Sequence, residues 1–186
     1  MSQKRAKAEL YTRYPFSSLL IYNGATILHF LLGGIGIFLG YDFSSWAGYA
    51  FGALYLTFSF AEMYVIMPLT VCPHCVYYRM ENSLCISGLN VISKKVAKEG
   101  EPSDFPKRAE GLFCNNNLYM VVLIVPIIAM IPALILNFSL ILLAIFLIVV
   151  GLLLFRFFVI FPRIACLHCY AKYKCPQAGA MDVRNM

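Results

Sequence analysis

Cysteine, histidine and proline recur twice in one order. Pro68 is followed by Cys72-Pro-His74-Cys75, and Pro162 by Cys166-Leu-His168-Cys169, a shared P-x3-C-x-H-C pattern. Two residues between thiols let a single turn point both sulfurs at one ion, and two such pairs complete a tetrahedral site of four thiolates. Each pair trails a third cysteine, Cys85 after Cys75 and Cys175 after Cys169, and Cys114 is the seventh. The offset that superimposes the motifs also carries Glu62 onto Arg156, each the one charge inside an apolar run. Rare residue types repeating in register point to an internal duplication.

Several partitions of these seven ligands are open. One ion could be held by Cys72, Cys75, Cys166 and Cys169. Alternatively each repeat gives three thiolates to its own cluster, with Cys114 completing one of them. The other then keeps an open position, and open positions are where chemistry happens. Zinc is the commoner occupant of paired C-x2-C sites and would clip the two halves together. An iron–sulfur cluster explains better why more than four thiols gather, and Cys175-Pro176 echoes the Cys-Pro that ends ferredoxin cysteine runs, although the full bacterial ferredoxin spacing is absent. Iron–sulfur is therefore the favoured cofactor, with zinc the alternative. His74 and His168 are expected to point away from the metal and to act on it indirectly.

The elements that must position these residues are membrane helices. The 186 residues are 61% hydrophobic and 13% charged, against about a quarter charged in a globular chain. A span needs about 20 apolar residues. The expected fold is an all-α integral membrane protein of four transmembrane helices, arranged as two pseudo-repeated hairpins. Residues 1–16 form a basic lead-in, and 17–71 the first hairpin, with spans at about 17–40 and 47–71. Residues 72–117 form a Cys-rich loop, 118–161 the second hairpin, and 162–186 a Cys-rich tail. The first run is too long for the core of a cleaved signal peptide.

All the basic residues except Arg156 fall in the lead-in, the loop and the tail, and none in the connections near Tyr41–Trp46 and Asn137. The positive-inside rule then puts both termini and every cysteine on the cytoplasmic side of the cytoplasmic membrane. Thiols there are kept reduced, which favours metal ligation or catalysis over structural disulfides. The basic charge reports topology and contact with lipid head groups, not nucleic-acid binding.

Within the spans, Glu62 and Arg156 are expected to form a buried ion pair, since charges at such depth face the bundle interior. His29 and Glu62 are the candidates for a quinone or proton site. Gly33, Gly34 and Gly36 offer close helix approach, and Pro126 and Pro132 are expected to kink the third span. Tyr11, Tyr14, Tyr77, Tyr78, Tyr170 and Tyr173 read as rings at interface depth.

The function expected is a membrane subunit that passes electrons between a cytoplasmic partner and the membrane, with quinone as the carrier there. So small an extramembrane mass implies larger oxidoreductase subunits as partners. A zinc-clamped membrane anchor is the alternative, and a membrane thiol–disulfide oxidoreductase the third reading. The last needs its thiols on the oxidising side.

Overall fold

The computed structural model describes residues 8–41, 46–108, 115–175, 178–179, 181 and 183. Cys114 lies outside the described residues. Four helices are long and apolar enough to cross a membrane: Phe16–Gly40, Trp46–His74, Leu118–Leu136 and Leu140–Ala165. Here α1 is Phe16–Gly40 and α2 is Trp46–Ala61. The second span continues through a π-helical turn, Glu62–Ile66, and a last α-turn, Met67–Thr70. A short helix on the cysteine-bearing side, α3, covers Leu89–Val96. The remaining spans are α4, Asn115–Leu136, and α5, Leu140–Phe155. A π-helical segment, Arg156–Ala165, extends α5. Among the described residues the one β-type pairing is an isolated bridge between Arg13 and Leu84.

The distribution of side chains is the reverse of a water-soluble core. Leu20 is 62% and Ile135 77% accessible, while Thr26, His29, Ser59 and Glu62 are fully buried. Lipid solvates the outer leucines and isoleucines, so the polar groups are the ones that must turn inward. α1 sits centrally and packs against α2, α4 and α5. Its glycines make this possible. A Cβ on Gly33 would lie 2.8 Å from Pro126 Cβ, and one on Gly40 2.5 Å from Ala133 Cβ, so any larger residue would push α4 away.

Both prolines sit inside a continuous α4, and a side chain of α1 and one from the residue that caps it serve the turn before each. His29 Nε2–H donates to the Leu123 carbonyl at 2.9 Å, three residues before Pro126. The Tyr41 hydroxyl donates to the Ala129 carbonyl at 3.0 Å, three residues before Pro132. Proline disturbs the hydrogen bonding of the preceding turn, and in a membrane a neighbouring helix must satisfy what is freed.

The expected ion pair is not formed. Arg156 is 1% exposed and donates to the Tyr119 hydroxyl and, at 2.6 Å, to Thr26 Oγ1. Its guanidinium lies 5.4 Å from the Tyr22 ring centroid, 5.6 Å from that of Tyr119 and 5.8 Å from that of Phe161. Three aromatic faces and two hydroxyls take the place of a carboxylate. Glu62 is buried elsewhere, with neither oxygen hydrogen-bonded.

Candidate functional site

Each cysteine pair is set by the way its span ends. After Pro68, the second span tightens into a 3₁₀ turn, Cys72–His74, and the Cys75 N–H returns to the Cys72 carbonyl at 3.1 Å. After Pro162, the fourth span ends with the Cys169 N–H on the Cys166 carbonyl at 3.3 Å. Cys75 (φ −82°, ψ 147°) caps the helical turn Val76–Arg79, and Cys169 (φ −83°, ψ 129°) caps Tyr170–Tyr173. The π-helical segments also begin at matching positions, Glu62 and Arg156.

The trailing cysteines are held by their own loops. Asn90, on α3, accepts from the Cys85 N–H at 3.1 Å and donates to the Ser83 carbonyl at 3.0 Å. Gly88 enters that helix at φ 74°, a left-handed conformation that glycine adopts without cost. The Cys175 N–H donates to the Ala171 carbonyl at 2.9 Å.

Six thiols, those of Cys72, Cys75, Cys85, Cys166, Cys169 and Cys175, gather at one end of the bundle, and none is in a disulfide. In the first motif and its trailing cysteine, Cys72, Cys75 and Cys85 all lie within electrostatic reach of one another. So do Cys166, Cys169 and Cys175 in the second. The two triads meet through Cys75, which reaches Cys169 and Cys175, and through Cys85, which reaches Cys169. No three described His, Cys, Asp or Glu side chains stand in the positions needed to hold a metal ion. The thiols are thus neighbours rather than a closed ligand shell.

Burial pushes the Cys75 and Cys166 thiols up to about 12 and the Cys169 thiol up to about 11. Without a nearby cation all three are neutral at pH 7, because the low-dielectric surroundings penalise a thiolate.

The histidines of the motifs are pinned to backbone. His74 Nδ1–H donates to the Glu101 carbonyl at 3.1 Å and His168 Nδ1–H to the Glu9 carbonyl at 2.7 Å. Gly100 lies so close to the His74 ring that a side chain there would collide with it, and the Tyr11 ring stacks on His168 at 4.4 Å. Arg79 ties the same loop to the first motif through a 2.6 Å ion pair with Glu99.

Sequence reasoning misplaced two tyrosines. Tyr14 is 2% and Tyr77 1% exposed, so neither is an interfacial anchor. The chain from Tyr11 to Tyr14 forms a strap between the two cysteine turns. The Tyr11 N–H donates to the His168 carbonyl at 2.9 Å, and the Tyr14 and Leu84 N–H groups donate to Leu84 and Thr12 carbonyls. The Tyr77 hydroxyl donates to the Tyr11 carbonyl at 2.7 Å and accepts from the Tyr170 N–H at 3.4 Å. The Tyr14 hydroxyl donates to the Ala165 carbonyl. Burial, reinforced by the neighbouring thiols, raises both phenols well above the ordinary range, so they remain donors. Their alternation of polar tip and apolar ring could have marked them, but nothing local in the sequence announces the strap. Tyr173, 53% exposed, does suit an interface.

Tyr77→Phe is expected to loosen the strap, leaving the Tyr11 carbonyl without its donor at a cost of about 1 kcal/mol. Limited trypsin cleavage after Arg13 should accelerate roughly fivefold; an unchanged rate would show that the strap is held by other contacts.

A cleft of about 250 Å³ opens between the turns, walled by His74, Arg79, Phe105, Tyr170, Tyr173 and Lys174. It is a solvent approach bordered by residues adjoining Cys75 and Cys169. His29 and Glu62 are not part of the thiol cluster; they lie inside the bundle.

No family model, curated protein or solved structure matches the chain. Function is therefore argued from its own residues.

Proposed function

We propose that this is an electron-transfer membrane subunit whose cysteines ligate metal on the cytoplasmic face, with iron–sulfur clusters as the favoured centres. The supporting observation is the gathering of six thiols as two triads, each built by the same local geometry at the end of a span. Matching offsets, matching π-helical starts and matching caps support a duplicated hairpin as their origin. Cys72, Cys75 and Cys85 would serve one centre, and Cys166, Cys169 and Cys175 the other, each triad closing in around its metal from the looser grouping described above. When bound, such clusters supply one-electron transfer. The chain itself would hold them at the membrane surface, shield them with Tyr14 and Tyr77, and leave the cleft beside Tyr170 as the approach for a soluble partner.

A zinc clamp is less well supported for a structural reason. The strap from Tyr11 to Tyr14 and the Tyr77–Tyr170 contact already join the two turns, so a metal clip would duplicate existing bonds. The basic residues of the lead-in, loop and tail favour a cytoplasmic face by the positive-inside rule, and there a larger oxidoreductase would deliver or take electrons, with a quinone as the membrane carrier.

Spectroscopy of anaerobically purified protein tests this reading. A visible charge-transfer absorption that bleaches on chemical reduction, with an EPR signal appearing in one redox state, is the expected result. Colourless, EPR-silent protein under both conditions would exclude iron–sulfur.

A further inference from the structure

We propose that Glu62 and His29 form a proton-binding site in the membrane interior, between the first, second and third spans. Glu62 is fully buried, and neither of its oxygens has a hydrogen-bond partner in the protein. His29 is equally buried. Its Nε2–H is used on the Leu123 carbonyl, which leaves Nδ1 a lone-pair acceptor, also without a partner. Ionisable groups at such depth are costly, and they are retained where they do something.

Packing between α1 and α2 places the two groups at nearly one level. A Cβ on Gly34 would meet Leu56, and one on Gly52 would meet Phe38, while the Phe30 and Phe60 rings lie 5.7 Å apart. Continued by two residues, this antiparallel register brings Glu62 level with Leu28, one residue from His29. Both face α4, His29 through Leu123 and the Glu62–Ile66 turn by direct packing. The π-helical turn itself breaks the regular ladder at Glu62, and such turns collect at functional positions. The two groups are not bonded to each other: both Glu62 oxygens and His29 Nδ1 stay unpartnered, so a proton taken up at this level has a carboxylate and a bare imidazole nitrogen to accept it.

Beside Gly33, one turn further from the cysteines, the Tyr55 hydroxyl and the Pro126 ring already fill the space that a Cβ would need. That neighbouring turn leaves no room for a ring-sized ligand, whereas a proton needs no cavity. The other titratable or charged groups around the site are Tyr22 on α1, Tyr55 on α2, Tyr64 on the π-helical turn, Tyr119 on α4 and Arg156. Arg156 is engaged by Thr26 and Tyr119 and makes no bond to Glu62. The Tyr55 hydroxyl has no partner of its own and extends the polar line past Ser59.

This site does not depend on the metal reading, and infrared spectroscopy tests it in purified full-length protein whether or not metal is present. The expected result is a protonated-carboxyl stretch that is missing from Glu62→Gln, shifts in heavy water and fades as pH is raised. In His29→Gln, its midpoint should move. Absence of a Glu62-dependent band, or a band indifferent to heavy water and pH, would overturn the site. A midpoint unchanged in His29→Gln would remove the histidine from it and overturn the pair. The wild-type spectra need no variant beyond Glu62→Gln, a near-isosteric change that leaves the packing intact.

Discussion

Arg156→Ala is expected to destabilise the membrane bundle by about 3–5 kcal/mol, the range for deleting a large buried side chain. The thermal midpoint in detergent should fall accordingly. Arg156→Met should cost far less. The two differ because Arg156 does two physical jobs. Its stem fills the space among Tyr22, Tyr119 and Phe161, and its guanidinium serves two hydroxyls without any carboxylate. Methionine keeps the volume and discards a charge whose burial is itself costly. Both hydroxyls lose the guanidinium but keep another bond: Thr26 donates to the Tyr22 carbonyl at 2.7 Å, and Tyr119 shares a side-chain hydrogen bond with Tyr22. Equal losses in the two variants would mean that charge, not volume, is what the bundle needs at this position.

Single substitutions in the two triads should each remove about half of the bound metal, as expected for three-thiolate groups that act separately. Cys75→Ser is expected to empty the first centre and spare the second; Cys169→Ser does the reverse. The reason lies in the pattern of neighbours. Cys72 and Cys166 reach only thiols of their own triad, and the contacts that cross, among Cys75, Cys85, Cys169 and Cys175, lie along the edge where the triads meet. Metal analysis of each variant against wild type reads the outcome directly. Complete loss from either single change would instead establish one shared site built from both motifs.

The membrane architecture was legible because it is written in composition. Runs with little or no charge give four helices long and apolar enough to span a membrane, Phe16–Gly40, Trp46–His74, Leu118–Leu136 and Leu140–Ala165. The glycines of α1 were legible for the same reason: a small residue in a lipid-embedded helix has few purposes other than close packing. The nearness of Cys75 and Cys169 accords with the repeat expected from spacing. What the sequence hid were choices of partner. Glu62 and Arg156 have opposite signs and matching repeat positions, yet Arg156 finds Tyr119 and Thr26, because helix packing rather than charge decides which side chains meet. The strap from Tyr11 to Tyr14 is set by long-range backbone bonds to Leu84 and His168, and no local pattern encodes them. Nor could the sequence show that one nitrogen of His29, the candidate for a quinone or proton site, serves the backbone ahead of Pro126.

Iron, zinc and acid-labile sulfide, measured per chain on protein purified without oxygen, test the central claim most directly. Bound iron with a matching amount of sulfide, lost when the cysteines of both triads are replaced by serine, is the result predicted. Metal-free protein with all seven cysteines titrating as reduced thiols would contradict it.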